Sequence, residues 1–231
     1  MLRRRRRGDE EQAEPWPAGD DGAGSGGPWD VNDDVPEAER IDFGSLRVPV
    51  REGFEVQISM AEDQPAWVTV VRGDSGLQLQ AFAAPKTGGL WADVRQEIAA
   101  EVAKAGGECE EADGPFGVEV RAQIAPPGPA GADGPLHPVR FLGVDGPRWF
   151  LRGVISGPAA VRDDLAGPLE DVFADVVVVR GDHPVPPRDL LEIRLPEEAL
   201  RALTEEAGDP DGGRWGGTDP FERGPEITET R

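Results

Sequence analysis

Residues 136–157, LHPVRFLGVDGPRWFLRGVISG, limit the fold more than any other stretch of the chain. They read as a β-hairpin with arms 139–144 and 148–155. The turn falls at Asp145-Gly146-Pro147, because Gly accepts positive φ and Pro fixes its own. Val, Phe, Leu, Trp and Ile crowd both arms, as a pleated, packed surface requires. In the second arm Trp149, Leu151 and Ile155 point one way, and Arg148, Phe150, Arg152 and Val154 point the other. One face is apolar, and the other sets two arginines among apolar residues. Such a hairpin belongs at the centre of an antiparallel sheet.

The rest of the chain supplies neighbours for it. Residues 40–50, RIDFGSLRVPV, form a short extended segment. Alternation at Phe54, Val56, Ile58 and Met60 gives a half-buried strand. Arms 67–71 and 77–82 make a second hairpin around Gly73-Asp74-Ser75-Gly76. Leu90, Val94, Ile98 and Val102 recur every fourth residue, which predicts an amphipathic helix over 89–105. Asp93 and Lys104 suit its dipole, and Gly106 supplies a left-handed stop. Residues 109–113 lead through the turn Gly114-Pro115-Phe116-Gly117 into a strand at 118–124, and 125–135 are a Pro/Gly-rich loop. A second helical region spans 158–174, with a break or fresh start at Pro168 and with Leu165, Leu169, Val172 and Phe173 inward. The β-branched run 176–179 suits a strand covered on both faces. Residues 190–195 lie extended over the domain.

This order predicts an α+β fold, an antiparallel β-sheet flanked by two main helices. The expected organisation has three parts. Residues 1–27 are a disordered tail, basic and then acidic. Residues 28–196 are a single α+β domain. Residues 197–231 are a short helix over 197–206 followed by a disordered acidic tail that holds Trp215. Trp29 is expected to pack its arm onto the domain.

Charge and cysteine use narrow the function classes. The net charge is −21, which repels phosphate backbones and opposes broad nucleic-acid binding. The exception is the run Arg3, Arg4, Arg5, Arg6 and Arg7, whose contact with nucleic acid or anionic lipid would be weak and salt-sensitive. The single Cys109 excludes an internal disulfide and a thiolate zinc cluster. No apolar run approaches the roughly 20 residues of a membrane helix. With no apolar segment after the arginines, a cytoplasmic location is the default expectation.

Two loops imitate catalytic or adhesive motifs. Gly73-Asp74-Ser75-Gly76 matches the nucleophile loop of trypsin-like proteases, and Arg72-Gly73-Asp74 and Arg180-Gly181-Asp182 match an adhesion tripeptide. Gly, Asp and Ser are also what a tight turn prefers. A serine nucleophile needs a base, and the two histidines, His137 and His183, come later in the chain, against the protease order. No Ser–His or Cys–His pair, metal-ligand spacing or phosphate-gripping glycine loop is present. No catalytic residue, metal or cofactor is therefore assigned.

Gly27-Pro28-Trp29-Asp30, RIDFGSLRVPV (40–50), LQLQAFAAP (77–85), the 89–107 helix, GPFG (114–117) and RFLGVDGPRWFLRGVISG (140–157) together resemble an uncharacterised actinobacterial family, a domain of unknown function. The resemblance covers about residues 27–196. It implies a cytoplasmic protein with no assigned activity and carries over no catalytic residues. The element order is also similar to the Mog1/PsbP-like architecture, an analogy of fold that implies no function.

Two functions remain in view. The first is a non-catalytic interaction or ligand-binding module, its partner an unidentified protein or a small acidic ligand. Arg148 and Arg152 on one hairpin face, with Arg47 and Arg51 nearby, are its candidate binding residues, since guanidinium groups grip carboxylates and phosphates. The alternative is a hydrolase of a small phosphorylated metabolite, with Asp163-Asp164 or Glu110-Glu111 holding Mg²⁺ through waters. Whether the chain is an enzyme stays open at this point, with the balance toward the non-catalytic module.

Overall fold

The computed structural model describes residues 26–61, 64–124 and 136–196. The arginines at 3–7, the loop 125–135, the expected helix 197–206 and Trp215 lie outside the described residues. Everything below concerns the first of two units, 1–195 and 196–231, into which the chain divides. In chain order the elements are β1 (Trp29–Asp30), β2 (Arg40–Asp42), β3 (Leu46–Pro49), β4 (Glu55–Ala61), β5 (Gln64–Arg72), β6 (Ser75–Ala83), α1 (Leu90–Lys104), β7 (Glu108–Gly114), β8 (Gly117–Ile124), β9 (His137–Gly146), β10 (Trp149–Ser156), α2 (Asp163–Ala174) and β11 (Val177–Val178). A single 3-10 turn, Gly157–Ala160, precedes α2.

The fold is α+β, as the element order predicts. A seven-stranded antiparallel sheet runs β4-β5-β6-β10-β9-β8-β7, so the hairpin β9–β10 is its middle. A second, four-stranded sheet runs β1-β11-β3-β2. Its β1–β11 pair is parallel and the other pairs are antiparallel. Each face of the large sheet carries one of the two helices. In β6, Ser75, Leu77, Leu79, Ala81 and Ala83 are buried, while the intervening residues are half-buried. The buried set joins Leu151 and Ile155 of β10, Leu46 and Val48 of β3, and Leu169, Val172 and Phe173 of α2 in one core. On the opposite face Leu90, Trp91, Ile98 and Val102 of α1 pack against Val120, Ala122, Val139 and Phe150 in a second core.

Four local features differ from the sequence expectations, each for a physical reason. The hairpin turn is at Pro147-Arg148, not 145–147, and Arg148 takes a left-handed φ of 64°. Gly146 stays in the ladder opposite Trp149. A Cβ there would lie 2.1 Å from the Trp149 ring, so this glycine makes room for the indole rather than for the turn. Residues 108–114 are a full edge strand rather than a lead-in, although four of the seven are acidic. Pro168 neither breaks nor starts a helix but sits inside α2. The carbonyl it leaves without a partner is that of Asp164, an exposed first-turn residue within reach of water. The four-stranded sheet was not foreseen, since strands of two to four residues leave no periodic signal.

Besides the β1–β11 ladder, a buried side-chain hydrogen bond holds the N-terminal arm. Asp30 is 4 % exposed, and its Oδ2 accepts the indole N–H of Trp149 at 2.7 Å. Its Oδ1 accepts the backbone and side-chain amides of Asn32. The arm therefore does pack onto the domain, but through Asp30 as much as through the half-buried Trp29. An Asp30→Ala substitution strands a buried donor, which costs about 1–3 kcal/mol. Chemical denaturation of Asp30→Ala, Trp149→Phe and the double variant is expected to show a double cost below the sum of the singles, with about 1 kcal/mol of coupling for the bond they share.

Candidate functional site

The two helices do not cover the large sheet evenly. The main contacts of α1 are with β7, β8 and β9. Beside it, the β4–β5–β6 part of the same face has no helix on it among the described residues. Strand alternation puts Trp67 and Thr69 of β5, Gln78, Gln80 and Phe82 of β6, and Arg152 and Val154 of β10 on this face. All are half-buried. Arg152 is the one cation among them, and Glu55 of β4, opposite Val71, lies on the same face. Arg152 lies directly across from Gln80, and Val154 lies across from Gln78.

Arg152 is held in place rather than spread into solvent. Its Nη2 donates to Gln80 Oε1. Its guanidinium carbon lies 5.4 Å from the Phe82 ring centroid, within the range of cation–π attraction. Its Nε is buried without a hydrogen-bond partner. Burial lowers its pKa below the ordinary arginine value, and the negative charge of Glu101 on α1 opposes this. The group stays ionised, since arginine does not deprotonate in proteins. Among the described half-buried arginines, Arg40 and Arg180 also lack a carboxylate but bond backbone carbonyls, whereas the partner of Arg152 is a side-chain amide. Arg47, Arg51, Arg95, Arg162, Arg188 and Arg194 all bond carboxylates.

The wall of this face is α1, which is fixed at its start by the central hairpin. Gly89 gives the helix no side-chain cap. Asp145 supplies one from β9, its Oδ1 accepting the Leu90 amide at 3.0 Å and its Oδ2 the Trp91 amide at 3.1 Å. Trp91 then lies against Gly143, where a Cβ would approach its ring to 2.3 Å. Its indole N–H donates to the Val118 carbonyl. Phe82, Phe150 and Trp91 follow one another as a stacked row, with centroids 5.9 and 5.7 Å apart. The aromatic row thus runs from under α1 to Arg152.

The four arginines singled out from the sequence occupy different places. Arg152 is on the open face. Arg148 is exposed at the hairpin tip, off the strand. Arg47 lies on β3 of the smaller sheet, bonded to Asp42 at 3.1 Å, and Arg51 follows that strand and bonds Asp175. The structure does not gather them into one cluster. The acid pairs do not converge either. Glu110 and Glu111 are consecutive on β7 and so point to opposite faces. Asp164 is bound by Arg162. Ser75 is 6 % exposed, and its Oγ accepts the Ala159 amide, so it serves the turn. Among the described residues no three His, Cys, Asp or Glu side chains come together as a metal site.

A second polar feature escaped the sequence. Glu119 and Arg140 are each 2 % exposed. Arg140 Nε and Nη2 bond the two Glu119 oxygens at 3.0 and 2.7 Å, and Nη2 also bonds Glu170 of α2 at 2.6 Å. Arg121 bonds Glu119 from the same strand. Hydrogen bonds and charge from the two glutamates raise the Arg140 pKa despite the burial that opposes them. Its only sequence signal is an Arg at the start of an otherwise apolar arm. Arg121 also lines a groove of about 430 Å³ with Glu108, Glu110, Gln123, Pro138 and Val161. Acids crowd that groove, and its arginine is already bonded, so it suits an anion less well than the Arg152 face.

A family model described as "Protein of unknown function (DUF3710)" matches residues 27–202. Neither the curated proteins nor the solved structures include a match.

Burial raises the Asp145 carboxyl above its ordinary value, outweighing the amide bonds from Trp91 and Leu90 that lower it. A folded pKa above the unfolded one gives stability that is complete below the unfolded pKa of about 3.8. That stability is lost as pH rises through the folded value. The stability of wild type relative to Asp145→Asn is therefore expected to fall as pH rises above 3.8, a difference readable by urea denaturation across pH. Asp145→Ala, which removes the cap, should cost about 1 kcal/mol.

Proposed function

The chain belongs to the DUF3710 family, which carries no assigned activity, and on that premise we propose a non-catalytic binding module of the cytoplasm that takes a small acidic ligand on the open sheet face. Arg152 is the anion-binding group. Phe82 and Trp67 offer flat apolar surface beside it, and Gln78 and Thr69 offer neutral hydrogen-bonding groups. The observation that carries this reading is the partly desolvated Arg152 guanidinium, braced by Gln80 and Phe82 and bonded to no carboxylate among the described residues.

A planar acid satisfies both halves of the face, with its carboxylate or phosphate on Arg152 and its ring against Phe82 and Trp67. Fixed guanidinium groups suit such oxygens because their N–H groups form a rigid fork. The chain as a whole, at −21, repels anions at long range, so affinity has to come from contact rather than from steering.

Benzoate, adenosine monophosphate and adenosine are suitable probes, titrated by calorimetry and by amide chemical shifts. The two acids are expected to bind and to move the amides of β6 and β10, and adenosine to bind far more weakly. Arg152→Gln should weaken the acids by at least about tenfold, equivalent to 1.4 kcal/mol, with its circular dichroism unchanged. Equal affinity in wild type and Arg152→Gln would sink this assignment.

A further inference from the structure

The large sheet ends in two edges of opposite character. At one edge is β7, where Glu108, Glu110, Glu111 and Asp113 put four carboxylates on seven residues. Charge of this density blunts an edge, since an incoming strand would bring charge against charge. The other edge is β4, EVQISMA, whose single charge is Glu55 at its start. Among the described residues it pairs with β5 alone and offers a row of backbone groups along its outer side. Val56 and Ile58 pack on the core beneath, which keeps the strand straight and in register. The register shift with β5 comes only after Ser59. Among the described residues nothing covers the edge at 55–59, on a chain that carries a net charge of −21.

We propose that β4 is a self-association edge at which a second copy of this chain pairs antiparallel to the first. Two copies of so acidic a chain can approach closely only where carboxylates are sparse, and among the described strand edges of the large sheet β4 is that place. A two-fold axis at Gln57 sets Glu55 opposite Ser59 of the second copy, Val56 opposite Ile58, and Gln57 opposite Gln57. This register keeps the two Glu55 side chains at opposite ends of the ladder and lets the two glutamine amides meet. A five-residue ladder is at the weak end of the size range for interfaces, so the dimer is expected to depend on concentration. The pairing leaves the Arg152 face open. It also places both α1 helices on the same side of one continuous sheet. Between them lies a floor of six strands, β6-β5-β4 from each copy, about 29 Å across at the usual strand spacing.

Sedimentation velocity over a concentration series tests the association, and cross-linking tests its place. Wild type should shift from monomer to dimer as concentration rises. Gln57→Glu, which sets two carboxylates face to face at the axis, should weaken the dimer by at least about tenfold at neutral pH and recover when acid protonates them. Glu110→Gln on β7 and Arg152→Gln should leave the dimer unchanged, which separates this inference from the ligand assignment. In a Cys109→Ser background, Gln57→Cys should be joined to itself by a short bismaleimide. A monomer at the highest soluble concentration overturns the proposal. So does a dimer that is indifferent to Gln57→Glu and not cross-linked through position 57.

Discussion

Both helices depend on two glycines of the central hairpin. Gly143 faces α1, and Trp91 lies flat against it. Gly153 faces the other way, and a Cβ there would stand 2.8 Å from the Phe173 ring of α2. Each glycine is a socket for one large aromatic, so each helix seats on the sheet at a fixed depth. Interiors are packed as densely as organic crystals, so a single added methyl at either socket would have to displace a ring or lift a helix. The middle strands therefore set the height of α1 above the sheet. That height in turn fixes how much of the sheet beside α1 stays open.

Charge is organised with the same economy. The described arginines are mostly neutralised locally, and the deepest of them, Arg140, bonds Glu119 on the neighbouring strand and Glu170 on α2. Buried ion pairs of this kind contribute little net stability but are costly to break, since the remaining partner is left charged in a dry site. They therefore fix position more than they add stability, here tying α2 to the β8–β9 side of the sheet. Arg152 follows a different rule. It is braced by a neutral side-chain amide and an aromatic ring, where the half-buried Arg40 and Arg180 are held by backbone carbonyls.

The parts of this fold that were legible in the sequence are those with long periodic signals. The central hairpin, α1 with its fourfold stripe, and the inward residues of α2 all follow from spacing alone. So does the burial of the valine run that contains β11. What spacing could not show is where polar atoms end up once the chain is folded. Asp30 and Trp149 are 119 residues apart, and nothing local marks them as partners. The acids of β7 hide a strand because an edge strand needs one packed face and tolerates charge on the other. For the candidate site, the sequence marked Arg152 but also Arg47, Arg51 and Arg148. The pairing pattern of two sheets and the left-handed turn residue, neither of which a linear reading contains, distribute those four over separate surfaces.

Asp145 stands in the middle strand yet completes a helix that begins 55 residues earlier in the chain. An isolated α1 would start with its first amides bare and with Gly89 unable to cap them, so its first turn would fray. Closing the β9–β10 hairpin delivers the carboxylate and the Gly143 socket to the same end of the helix at once. Secondary structure on one side of the molecule is in this way conditional on tertiary structure at its centre. The expected consequence is kinetic. The start of α1 should gain protection from hydrogen exchange in the same step as the hairpin, so that two elements distant in sequence order as one cooperative unit.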